Sequence, residues 1–184
     1  MKVLNIHDYH ESNDNIAYKA LHECGFEIIN PKFDYDGMDP RPLFDLVVAH
    51  FQRNFCDVVV GTGIGAFLAI CISAKELVPC VLINPIVVPG MVLLEAGYTR
   101  CAGVTQMCDL EGRYLRELNL CGTSTIIDAN YKYMTPQLFN YTRELLHNTR
   151  YYEVNNITEA QVVELFKQNK QKWFYDTYQI DLAL

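Results

Sequence analysis

Residues 57–70, DVVVGTGIGAFLAI, run from an apolar strand through three alternating glycines into an apolar helix. A strand, a tight turn and a helix in that order can present the residue at the turn's apex to a substrate. With serine there, as in G-x-S-x-G, the chemistry would be nucleophilic attack on an acyl carbon. The apex here is Gly63, which has no oxygen or sulfur to attack with. Gly61 and Gly65 stand two residues before and two after it, where small residues let strand and helix approach. The same stretch also satisfies G-x-G-x-x-G/A through Gly61, Gly63 and Ala66, a dinucleotide-type turn. Against that alternative, the turn follows the third strand, and Asn84-Pro85 stands where a ribose-binding acid should end the next one.

A second group of chemically capable side chains is His7-Asp8-Tyr9-His10-Glu11, at the end of the first strand. These are metal-ligand types in close succession, but a solvated loop accounts for them as well, and no metal or other cofactor is expected. Thr62 is a poor second nucleophile, because its side chain should point away from the apex, and Cys71 falls in the helix interior.

The elements that must position these groups are legible in order. Strands are expected at Lys2–Ile6, Phe26–Asn30, Asp57–Val60, Cys80–Ile83, Thr123–Asp128 and Tyr151–Val154. Helices are expected over 15–24, Leu43–Arg53, Ala66–Lys75 and from Pro136 to about 148, with shorter pieces at 91–96 and 109–118. Thr135-Pro136 reads as an N-cap with proline in the first helical position, and Thr158 with Gln161 as a capping box opening the last helix. Asp109 and Asp128 are expected as loop or cap residues. Short, continuously apolar strands alternating with helices imply a three-layer α/β/α sandwich with a mostly parallel sheet.

At 184 residues the chain fits a single domain, 1–184, without repeats or linkers. The net charge of −7, without a basic block, argues against nucleic acid as a main partner. No apolar run approaches a membrane span, and no signal peptide is expected. The seven cysteines include no C-x-x-C and sit mostly in apolar patterns, which suggests reduced thiols and a cytoplasmic location. The segment 172–184 adds aromatics beyond the last expected helix, including the single Trp173; it is expected to pack back on the domain or to serve a homodimer or another protein partner.

The chain resembles the small α/β-hydrolase esterases of the YqiA-like type over roughly residues 1–165, on KVLNIHDY, DVVVGTGIGAFLA and PCVLINPIVVPG. The resemblance implies a compact α/β-hydrolase fold without a large lid, an oxyanion-hole N–H after the first strand, and a Ser-His-Asp triad. The nucleophile's place is Gly63, the acid's place falls at Tyr131 within a residue, and the histidine's falls in Asn155–Thr158, at Thr158. Asp8 stands where the family has glycine. All three triad positions are therefore degenerate, and the expectation is a pseudo-esterase with a binding or interaction role. A weak or rearranged carboxylic-ester or thioester hydrolase using Asp8, His7 or His10 is the alternative. A small-molecule ligand above the elbow would meet His7, Asp8, Tyr9, Gly63, Ile64, Asn84 and Tyr131.

Overall fold

The computed structural model describes residues 1–95, 101–115, 123–147 and 149–181, with side chains for all of these except 101–105 and 173–181. The strands β1 (Lys2–Ile6), β2 (Glu27–Ile29), β3 (Val58–Thr62), β4 (Cys80–Ile83), β5 (Ser124–Asp128) and β6 (Arg150–Val154) form one parallel sheet in the order β2-β1-β3-β4-β5-β6. The helices are α1 (Ile16–Glu23), α2 (Pro40–Arg53), α3 (Ile64–Glu76), α4 (Pro89–Glu95), α5 (Cys101–Tyr114), α6 (Pro136–Leu145) and α7 (Glu159–Asp181). None among the described residues is long and apolar enough to cross a membrane.

The strands lack polar alternation because both faces of the sheet are covered. Leu4, Val59, Leu82 and Ile127 point to the core under α2, α3, α4 and α6. Val3, Val58, Val60, Val81 and Ile126 point to a second core under α1 and α7, closed by Phe166. The α3 sequence is apolar nearly all round because α2 and α5 pack on the side turned away from the sheet. Phe67 and Ile70 of α3 are fully buried.

Element boundaries depart from the sequence expectation where local rules compete. α2 starts at Pro40, three residues before the expected Leu43, since proline fits a first helical turn and Asp39 already has extended backbone. α5 covers Cys101–Tyr114, not 109–118, so Asp109 lies inside a helix, where its carboxylate pairs with Arg41 at 2.8 Å. Residues 116–118 of that expected helix lie outside the described residues. The capping box forms: Thr158 N donates to Gln161 Oε1 at 2.8 Å, and Gln161 N to Thr158 Oγ1 at 3.4 Å.

The first turn of α3 crosses the end of β1 so closely that a Cβ on Gly65 would fall on the carbonyl oxygens of His7 and Ile6. Both are backbone atoms and cannot swing aside. Gly65→Ala is expected to destabilise the protein by roughly 3 kcal/mol in urea unfolding. An unchanged midpoint would contradict this packing.

Candidate functional site

From β1 the chain crosses to β2 on one side and then returns to β3 on the other. The loops leaving β1 and β3 therefore diverge and open a crevice at the carboxyl edge of the sheet, where ligands bind in such folds. Residues 7–11 and 63–65 meet there.

Gly63 forms the apex with φ 57° and ψ −119°, a combination closed to most side chains. Its N–H donates to Ile83 O at 2.9 Å, and its carbonyl receives Ile86 N at 3.2 Å. The turn is thus clamped to the end of β4, and α3 begins at the next residue.

Asp8 occupies the space above the apex. Its Oδ1 accepts the N–H of Tyr9 at 2.7 Å and the N–H of Ile64 at 2.8 Å. Its Oδ2 accepts the hydroxyl of Tyr131. The three atoms nearest to a Cβ built on Gly63 all belong to the Asp8 carboxyl group, and all lie closer than van der Waals contact allows. In a serine elbow, the N–H after the nucleophile and one from the loop after the early strand receive the developing oxyanion. Here one carboxylate oxygen already holds both donors. The same bond takes the first N–H of α3, which a dinucleotide phosphate would need.

Burial raises the Asp8 pKa above the usual carboxylate range, against the opposing pull of the Tyr131 hydroxyl and the Ile64 and Tyr9 N–H groups. Burial also raises the phenol of Tyr131, and the Asp8 charge adds to that, so Tyr131 remains the proton donor of the pair. Glu11 lies alongside, its carboxylate accepting Asp8 N at 3.2 Å and its own pKa raised first by burial.

His7 is buried and both of its ring nitrogens are engaged. Phe33 N donates to Nε2 at 2.8 Å, so Nδ1 carries the proton and donates to Asp8 O at 2.8 Å. Burial lowers its pKa, which fits this neutral tautomer. His7 thereby fastens the 33–35 segment to β1, helped by the Tyr35 hydroxyl on His7 O. His10, at φ 57°, stacks on Tyr9 with ring centroids 3.8 Å apart and pairs with Asp36 at 3.1 Å, out in solvent. The Tyr9 hydroxyl donates to the same Asp36 at 2.8 Å. Among the described residues, no three His, Cys, Asp or Glu side chains gather as a metal-binding group.

Asn84 adopts φ 48° and spends its side chain on the scaffold, Oδ1 receiving Asp128 N at 2.7 Å. Asp128, at the end of β5, accepts Asn130 N and Asn156 N on Oδ1 and Ile157 N on Oδ2, at 2.8, 2.9 and 2.8 Å. Burial works to raise its pKa, but the three N–H groups outweigh that and hold it below the ordinary value. Asp128 therefore ties the loop of Tyr131 to the loop where a catalytic histidine would stand. That loop contains no histidine, and Thr158 caps α7.

Of the residues that the sequence singled out, the structure brings His7, Asp8, Tyr9, Gly63, Ile64 and Tyr131 together, while the Asn84 side chain turns to Asp128 N. The sequence reading missed Asp128 as the brace between two loops, although an acid at a strand end before a turn was the available signal. Thr62 is buried, and its hydroxyl has no hydrogen-bond partner among the described residues, so no base is placed to activate it. Cys71 is fully buried in α3, with its thiol pKa pushed well up by burial. Beside Tyr9 and Leu93, the enclosed space is about 10 Å³, no more than one water occupies.

Two outcomes follow from this arrangement. Gly63→Ala is expected to cost about 3 kcal/mol in the native background, and at least about 1 kcal/mol less in an Asp8→Gly background, because Asp8 supplies the clash. Additive costs in urea unfolding would contradict the contact. Asp8 has a folded pKa above its unfolded one, so its contribution to stability is complete below the unfolded value and is lost as pH rises through the folded value. Between about pH 4 and pH 7, the wild type should therefore lose stability relative to Asp8→Asn. His7 runs the opposite way, its contribution fading as pH falls below about 6.5; the Asp8 charge opposes that shift, so Asp8→Asn deepens it and the difference between the two proteins changes in the same direction. Parallel stability–pH curves would contradict the raised Asp8 value.

No family model and no curated protein matches the sequence. Solved structures do match its fold. A metagenome-derived lipolytic enzyme from the LipS and LipT work superposes with a TM-score of 0.69 at 11% identity, covering 92% of this chain and 93% of that one. MGS-MChE2, an α/β hydrolase from the metagenome of lagoon sediments of Mar Chica, Morocco, gives 0.65 at 14% identity, with 96% and 91% covered. The thioesterase domain from the curacin biosynthetic pathway gives 0.65 at 10% identity, with 92% and 90% covered. With its parallel sheet, its glycine elbow after β3 and these likenesses, the chain has a compact α/β-hydrolase fold.

Proposed function

We propose that this chain is a catalytically degenerate member of the α/β-hydrolase superfamily, resembling the YqiA-like small esterases in its sequence motifs and retained for binding or interaction. The observation that carries this reading is the Asp8 carboxylate bonded to Tyr9 N and Ile64 N above an apex with no side chain. Ester hydrolysis needs a nucleophile, a base to activate it, and vacant donors for the developing negative charge. Position 63 supplies no nucleophile. His7 has both nitrogens committed, so it is a brace rather than a base. The donors hold a carboxylate, which would repel an incoming oxyanion.

The crevice is in this reading filled by an internal ligand, and any binding role passes to the outer surfaces. The described cysteines Cys24, Cys56, Cys71, Cys80 and Cys108 are free thiols, which fits a reducing, cytoplasmic setting. A homodimer or protein contact through 172–184 rests on side chains that, from 173 onward, lie outside the described residues.

The test is turnover of short-chain p-nitrophenyl esters and acyl thioesters by purified protein. Losing triad members costs about 10⁴ to 10⁶ in rate, so hydrolysis at the buffer rate is expected. Saturable turnover that co-purifies with the chain and disappears in Asp8→Asn or His7→Ala would instead establish a rearranged hydrolase.

A further inference from the structure

β6 is the last strand of the sheet, and its outer edge is unpaired among the described residues. Arg150 N donates to Thr123 O, which turns the backbone groups of Arg150, Tyr152 and Val154 toward β5. The N–H and C=O groups of Tyr151 and Glu153 therefore point outward. Open grooves flank the strand on both faces. The one beside α6 is about 620 Å³ and is lined by Arg143, Leu146, Tyr151 and Glu153. The one beside α7 is about 230 Å³ and is lined by Ile126, Tyr152, Val154, Glu164 and Leu165. The opposite edge, β2, is only three residues long.

We infer that β6 pairs antiparallel with β6 of a second copy, about a two-fold axis through Tyr152. In this register Tyr151 stands opposite the partner's Glu153, and each of these residues exchanges both backbone hydrogen bonds with its opposite. Every outward N–H and carbonyl of β6 is then satisfied. An axis at Tyr151 or Glu153 would leave one end of each strand overhanging.

Side-chain chemistry selects a second copy over an unrelated strand. Arg150 is exposed and has no ion-pair partner among the described residues. In the paired register it stands opposite the partner's Val154, which lines the α7 groove together with Glu164. The Arg150 stem covers the apolar floor of that groove and its guanidinium reaches toward the carboxylate. The two-fold axis makes this contact twice. On the other face, each Glu153 keeps its own Arg143, at 3.3 Å. The pairing is independent of whether the elbow is active.

Sedimentation velocity of the full chain from about 1 to about 300 µM should show a monomer–dimer equilibrium. Glu153→Pro removes an outward donor that β5 does not use, so it should weaken the dimer at least about 10-fold with unchanged circular dichroism. Tyr152→Cys places two sulfurs across the axis with Cα atoms about 4.5 Å apart, and should give a covalent dimer on mild oxidation beyond any formed by wild type. Arg150→Cys, displaced from the axis, should not. If Glu153→Pro fails to fold, the cysteine pair decides. A monomer at every concentration overturns the inference, as does a dimer that resists Glu153→Pro and is not cross-linked through Tyr152→Cys.

Discussion

One buried carboxylate organises this molecule's crevice. Asp8 Oδ1 receives two backbone N–H groups that belong to different loops, one after β1 and one after β3. Its other oxygen receives Tyr131 from a third loop, after β5. A buried carboxylate is tolerable only when its lone pairs are met, and here each oxygen has a donor. Three loops that in an enzyme would surround a substrate are thereby held together by the chain itself.

The bond constrains the residues around it. Gly63 must lack a Cβ because the carboxyl group fills that space, and Gly65 must lack one because the β1 backbone approaches. The two requirements differ in kind. A backbone clash follows from the strand–turn–helix geometry, whereas the atoms nearest to a Cβ on Gly63 belong to the Asp8 side chain, at a backbone conformation that itself disfavours a side chain. A side chain at position 63 would require the Asp8 carboxyl group to move from where it lies. His7 locks the 33–35 segment from below, and Asp128 locks the loops of Tyr131 and Asn156 from the side. With those braces in place, the three loops are tied to one another by the chain's own side chains.

Much of this was legible in the chain. Period and glycine spacing located the strands, the elbow and the capped helices, because backbone geometry and local hydrogen bonds leave a mark over a few residues. The span of α5 was not legible, because the apolar positions of Cys101–Tyr114 do not keep a continuous helical face. Nor could the contact between Asp8 and Ile64 be read, since 56 positions separate them and only the closed sheet brings them together. The sequence showed Asp8 where the resembled family has glycine. The structure shows that acid accepting the N–H groups of Tyr9 and Ile64. Tyr131 was placed in the right loop but with no partner, because nothing local to it points to residue 8.

The amide groups of Tyr9 and Ile64 are occupied by the chain's own carboxylate. Following those two amides by ¹⁵N–¹H NMR through a pH titration tests it most directly. Both resonances should lie downfield and be protected from exchange. They should move together with a single apparent pKa above the ordinary aspartate value, and lose these features in Asp8→Ala. Two amides that exchange as freely as open surface groups, or that titrate independently of residue 8, would contradict it.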